Sequence, residues 1–247
     1  MSNRAFAAVI LLFLCVAAPA NAETNDRLLL EQARADIEAR NLAHDGTRFG
    51  YTIQNTSHGD EVSVFSIQFD PSLDHGQQWA VVSPSAAEDS ALYEQAVQRV
   101  TWGNNLGPEV MADQALIVRK IFAEGIDHFN FLHEENERAI YQFKIEDLAF
   151  FSEGNEQVAK MSKFLTGELS INTTTSRLQS IRIYARKPFK PVVVAKVKTV
   201  DIQIEFAPAW DDGPLVQVGT QQHIAGSAMF RKFTEKSGQI FSDFKRK

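Results

Sequence analysis

Histidines and acidic residues supply the first candidates for chemistry. His128, His133, Glu134 and Glu135 lie close together in the chain and are residue types that bind zinc. The HExxH spacing that puts two histidines on one helix face is absent, and a five-residue step places His128 and His133 on opposite faces of a strand. The spacing predicts no metal site. Farther on, His223 and Ser227 share a strand face, but Gly226-Ser227-Ala228 lacks the GxSxG pattern of a nucleophile elbow. A triad would further need an acid and an oxyanion hole. We expect an exposed polar row there. Asp211-Asp212 before Gly213-Pro214 reads as a turn, and the chain has no EF-hand loop, P-loop or GxGxxG. No catalytic residue and no cofactor is therefore expected, and an enzyme without a recognisable motif is the class left open.

The first 22 residues differ from the rest. Arg4 makes a positive start, Ala5 to Ala18 an apolar run, and Ala20-Asn21-Ala22 a small-residue cleavage pattern behind Pro19. This reads as a signal peptide, residues 1–22, cut after Ala22, and predicts a periplasmic or secreted protein. The run is short for a membrane span, which needs roughly 20 residues. Cys15 is the only cysteine, so residues 23–247 would carry none, leaving neither disulfides nor thiol chemistry. Leu14 before it argues against a lipoprotein signal. Without Arg4 the chain has 24 basic against 31 acidic residues, and it lacks the clustered Lys and Arg that nucleic acid demands. No nucleic-acid partner and no stable membrane span after cleavage is expected.

One domain over 23–247 fits the length. Leu29, Leu30, Ala33 and Ile37 predict a helix over 26–40. Ser85 and Glu88 form a capping box for a helix to Val100, and Gly103-Asn-Asn105 should break the chain before a third helix over 109–122. Strands are expected at 49–55 and 61–69, joined by Ser57-His-Gly-Asp60, and at 78–83. From residue 125 the period is two: 129–131, 139–145, 165–172, 178–186, 192–206, 216–230 and 240–244. Within 192–206, Val193, Ala195 and Val197 hold one parity and Val200, Ile202, Ile204 and Phe206 the other. A β-bulge near Lys198-Thr199 would restore one face and bend the strand. The sequons at Asn55 and Asn172 read as turns.

The expected fold class is α+β: a strongly curved antiparallel sheet, an open half-barrel, wrapped over about three helices. The block Gly167-Glu-Leu169-Ser-Ile171-Asn, followed by Leu178-Gln-Ser-Ile181-Arg-Ile183, resembles the bacterial outer-membrane lipoprotein-carrier superfamily in its strands and their order after a leader and an N-terminal helix. That resemblance implies an apolar concavity holding a lipid or lipoprotein acyl group, with ligand-binding residues unassigned. Sixteen of the eighteen phenylalanines lie beyond the leader, which suits either a greasy cavity or a plain core. Two non-catalytic readings follow: a lipid or lipoprotein carrier, and an envelope interaction or structural protein with a filled core and no small ligand. For the second, Arg182, Tyr184, Arg186, Lys196 and Lys198 are the outward rows that would touch a partner.

Overall fold

The computed structural model describes residues 20–59, 62–106, 121–123, 125–145, 161–192, 194–229 and 231–247. The charged start and apolar run of the expected leader lie outside them. Ala20 and Ala22 fall in the first turn of α1 (Ala20–Ala43), which extends the expected helix at both ends. Its stripe behaves as its spacing dictates, with Leu30, Ala33 and Ile37 buried. Arg34 with Glu38 and Arg40 with Asp36 form i, i+4 pairs along its length. Both ends are tied to the rest of the fold: the Tyr141 hydroxyl donates to the Asp26 carbonyl at 2.8 Å, and Arg40 donates to the Gly213 carbonyl at 2.9 Å.

Among the described residues eleven strands make one sheet. They are β1 (Phe49–His58), β2 (Val62–Phe69), β3 (Trp79–Ser83), β4 (Asn130–Glu135), β5 (Arg138–Lys144), β6 (Thr166–Asn172), β7 (Leu178–Tyr184), β8 (Phe189–Val192), β9 (Ala195–Pro208), β10 (Leu215–Ala228) and β11 (Arg231–Arg246). Their order is β3-β2-β1-β11-β10-β9-β7-β6-β5-β4, with β8 on β9, and every pairing is antiparallel. The sheet ends on β3 and β4 and is open, as a half-barrel is. The expected bulge is present: Ala225 pairs with Thr199 and Gly226 with Val197, so Lys198 is skipped. Val197 and Val200 thereby join one buried cluster despite their opposite parity.

Several expectations are corrected. Ser85 and Glu88 do bond, with the Ser85 amide and hydroxyl donating to the carboxylate at 2.8 and 2.9 Å, but they close a separate turn. The helix α2 (Ser90–Leu106) starts one turn later, where Asp89 accepts from the Leu92 amide at 2.9 Å and acts as its cap. Gly103 does not break it. A Cβ there would stand 3.0 Å from the Trp79 ring, so the glycine lets the helix approach the sheet. The third helix lies mostly outside the described residues; 121–123 are helical, with Ile121 and Phe122 buried. The last strand begins at Arg231, not Ile240, because β10 and β1 flank it and their free amides and carbonyls take it into the ladder. Asn55 sits within β1 rather than a turn, whereas Asn172 does make a turn, accepting from the Thr174 and Thr175 amides at 3.1 and 2.8 Å.

The buried apolar residues fall into separate groups on one face. The largest joins α1, Ile121, Phe122, Ile126 and Phe129 to β5, β6, β7 and β9; another joins α2 to β1, β2 and β3 through Tyr51, Phe69 and Trp79. This is the inner face.

Candidate functional site

Residues directly opposite on neighbouring strands point to the same face, so the pairings assign each side chain. Ile204 belongs to the core, and across from it in succession stand Thr220, Gln239, Asn55 and Phe65. The next inner row runs Ile202, Gln222, Ser237, Ser57. Each row is apolar on β9 and turns polar on β10, β11 and β1. Side-chain bonds tie the polar part together: Gln222 donates to Ser237 at 2.6 Å and to Glu235 at 3.1 Å, and Gln239 donates to Asn55 at 2.8 Å. A notch of about 260 Å³ lined by Asn55, Ser57, Phe65, Thr220, Gln222 and Gln239 lies here, between the two apolar groups.

The outer face of the same strands carries a larger depression, about 780 Å³, lined among others by Asp201, Gln203, Glu205, Gln221, His223 and Lys236. Its geometry follows from the register. Asp201, His223, Lys236 and His58 form one transverse row; Gln203, Gln221, Gly238 and Thr56 the next; Glu205, Gly219 and Ile240 a third. Gly219 and Gly238 leave no side chain in the middle of it. A Cβ on Gly238 would meet nothing nearer than the Thr220 carbonyl at 3.4 Å.

Charge at the β7 side of its rim is paired. Arg182 holds Asp201 through two bonds of 2.8 Å, which keeps that carboxyl below its ordinary range and pushes the guanidinium up. The same guanidinium lies 4.9 Å from the centre of the Tyr184 ring. Burial, and then the bond its hydroxyl donates to Glu168 at 2.7 Å, raises the Tyr184 phenol above its usual value. Arg186 donates to Gln142. The resulting surface offers amide donors and acceptors, with charges already neutralised at one side.

The residues singled out from the sequence are distributed unevenly. Arg182, Tyr184 and Arg186 share the outer network, whereas Lys196 and Lys198 lie at the far end of β9. His223 enters the depression, but Ser227 lies farther along β10, opposite Lys196 and Lys232. Asp211-Asp212 occupies the expected turn, where the Asp212 carbonyl meets the His44 ring at 2.6 Å. His133 lies 3.7 Å from Glu135 on exposed β4, while His128 precedes that strand and rests against the Phe129 ring at 4.1 Å. Among the described residues no three His, Cys, Asp or Glu side chains are placed to hold a metal. Gln203 and Gln221 of the outer face were not legible as site residues; for the inner notch the one sign was Gln222, the large polar residue interrupting the apolar parity of β10.

No described helix is long and apolar enough to cross a membrane. No family model and no curated protein matches the chain. Among solved structures, a LolA superfamily protein from Nitrosomonas europaea is similar over 87% of this chain and 93% of its own, at 10% identity and a TM-score of 0.32. That likeness is too loose to transfer any residue or role.

Proposed function

We propose that the chain is an exported, non-catalytic binding protein of the bacterial envelope, whose apolar inner face is its own filled core and whose outer depression over β9, β10, β11 and β1 receives a polar segment of a partner protein. One observation carries the reading. Phe143, Leu169, Ile171 and Ile181 of the inner face are buried in one cluster with Leu30, Ala33 and Ile37 of α1, while the larger depression is lined by amides and charges. Export rests on the leader, with cleavage after Ala22, and N-terminal sequencing of the secreted chain checks it. The partner is tested with a photo-crosslinking residue at Gln221 in living cells. An adduct absent at the control position Glu38, and lost when Gly238→Trp fills the depression, is expected. Crosslinking equal at both positions would refute the reading.

A second reading, a carrier for a lipid or lipoprotein acyl group, draws on the notch that separates the two apolar groups beside Phe65, where a chain could enter between them. Stoichiometric lipid extracted from natively purified protein and detected by mass spectrometry would favour it over the first.

A further inference from the structure

We infer that the end of the sheet formed by the β8–β9 and β10–β11 turns docks on an anionic phospholipid bilayer. Val192, Val194 and Met229 are exposed there at 53%, 61% and 75%, and Phe233 at 42%. They are neighbours. Val192 pairs with Ala195, Ala195 with Ala228, and the Met229 amide donates to the Val194 carbonyl at 3.0 Å, locking the two turns side by side. Phe233 lies across from Gly226, close enough that a Cβ on that glycine would stand 2.8 Å from its ring. Large apolar side chains gathered at turn tips, rather than lining a groove, suit insertion into a soft surface.

Charge complementarity identifies the surface. The chain as a whole carries a net charge of −6, yet residues 186–200 hold Arg186, Lys187, Lys190, Lys196 and Lys198 without one acid. Arg231 and Lys232 add two more beside Met229. Lys190, Lys196, Lys198, Arg231 and Lys232 are all exposed. An anionic membrane therefore repels most of the molecule and attracts this end, which orients the apolar tips toward the acyl boundary. The lysines then meet headgroup phosphates. Each basic residue near such a surface contributes roughly a five-fold gain in binding.

The test is sedimentation of the purified chain with vesicles of mixed phosphatidylglycerol and phosphatidylcholine, and with phosphatidylcholine alone. Binding to the mixed vesicles is expected, weakened by salt and nearly lost on neutral ones. Lys196→Ala with Lys232→Ala should weaken it about five-fold for each change. Met229→Ser should weaken it further while the melting temperature stays unchanged, since that side chain is exposed. Gly238→Trp should leave it intact, which separates this inference from the proposed partner site. Equal binding to both vesicles, binding to neither, or indifference to the lysine and Met229 variants would overturn it.

Discussion

Replacing Gly167 by alanine tests whether the inner face is filled. Across the β5–β6 ladder Phe143 stands opposite Gly167, and a Cβ added there would lie 2.2, 2.3 and 2.6 Å from three carbons of its ring. Ordinary carbon contact is about 3.5 Å, so the ring must retreat by more than about 1 Å. It has little room: Phe143 is 1% exposed and packs edge-on against Phe129, which packs in turn on Phe122, each at 5.4 Å between centroids. Overpacking of this kind costs about 1–3 kcal/mol, and with three ring carbons overlapped we place Gly167→Ala near 3 kcal/mol. For a chain of this size that lowers the melting temperature by about 6–12 °C. Phe143→Ala alone should cost about 3–5 kcal/mol through the cavity it leaves. The double variant should cost little more than Phe143→Ala, because without the ring the new methyl has space, a coupling of about 1–3 kcal/mol. Urea unfolding of the four proteins, followed by tryptophan fluorescence, measures it. Strictly additive effects would show that the ring does not sit over Gly167. The inner face would then be open at that point, and the acyl-binding reading would gain ground.

Three smaller perturbations follow from named contacts. Asp70 accepts from Lys247 at 2.8 Å and from the Ser72 hydroxyl and amide, which together lower its carboxyl from 3.8 to about 2. A folded value below the unfolded one stabilises above pH 4 and is lost as pH falls toward 2, so Asp70→Asn should cost about 1 kcal/mol near neutrality, after discounting for screening, and nothing near pH 2. Chemical melts across that range check it; a difference that persists at pH 2 would contradict it. Tyr141→Phe removes the bond to the Asp26 carbonyl and should cost about 1 kcal/mol, seen as faster hydrogen exchange near the start of α1 with the centre of β6 unaffected. Asp89→Ala should destabilise by about 1 kcal/mol through the lost cap of α2, whereas Ser85→Ala, in the preceding turn, should cost less.

What the sequence discloses is burial on one face. Val193 to Phe206 betrayed its bulge because a parity break in an otherwise apolar row has few remedies, and Leu30, Ala33 and Ile37 betrayed α1 because a stripe at helical spacing must be covered. Arg231 to Gln239 contains no such row, since most of it is exposed, and its strand is imposed by β10 on one side and β1 on the other. The start of α2 was misplaced for a related reason: Ser85 and Asp89 are both competent caps, and only the turn that joins Ser85 to Glu88 decides between them. The candidate site lies in the least legible part of the chain by the same logic. A polar surface built across β9, β10, β11 and β1 is assembled from residues whose sequence neighbours face the opposite side, so its rows exist only once the register is fixed. Gln222 gives a local hint of the inner polar notch only, because a large amide in an apolar parity must find partners, and it finds them in Ser237 and Glu235 on the next strand. An interruption of an apolar row thus marks where the inner face turns polar, whereas the outer rows, mostly polar, leave no break of parity to be read.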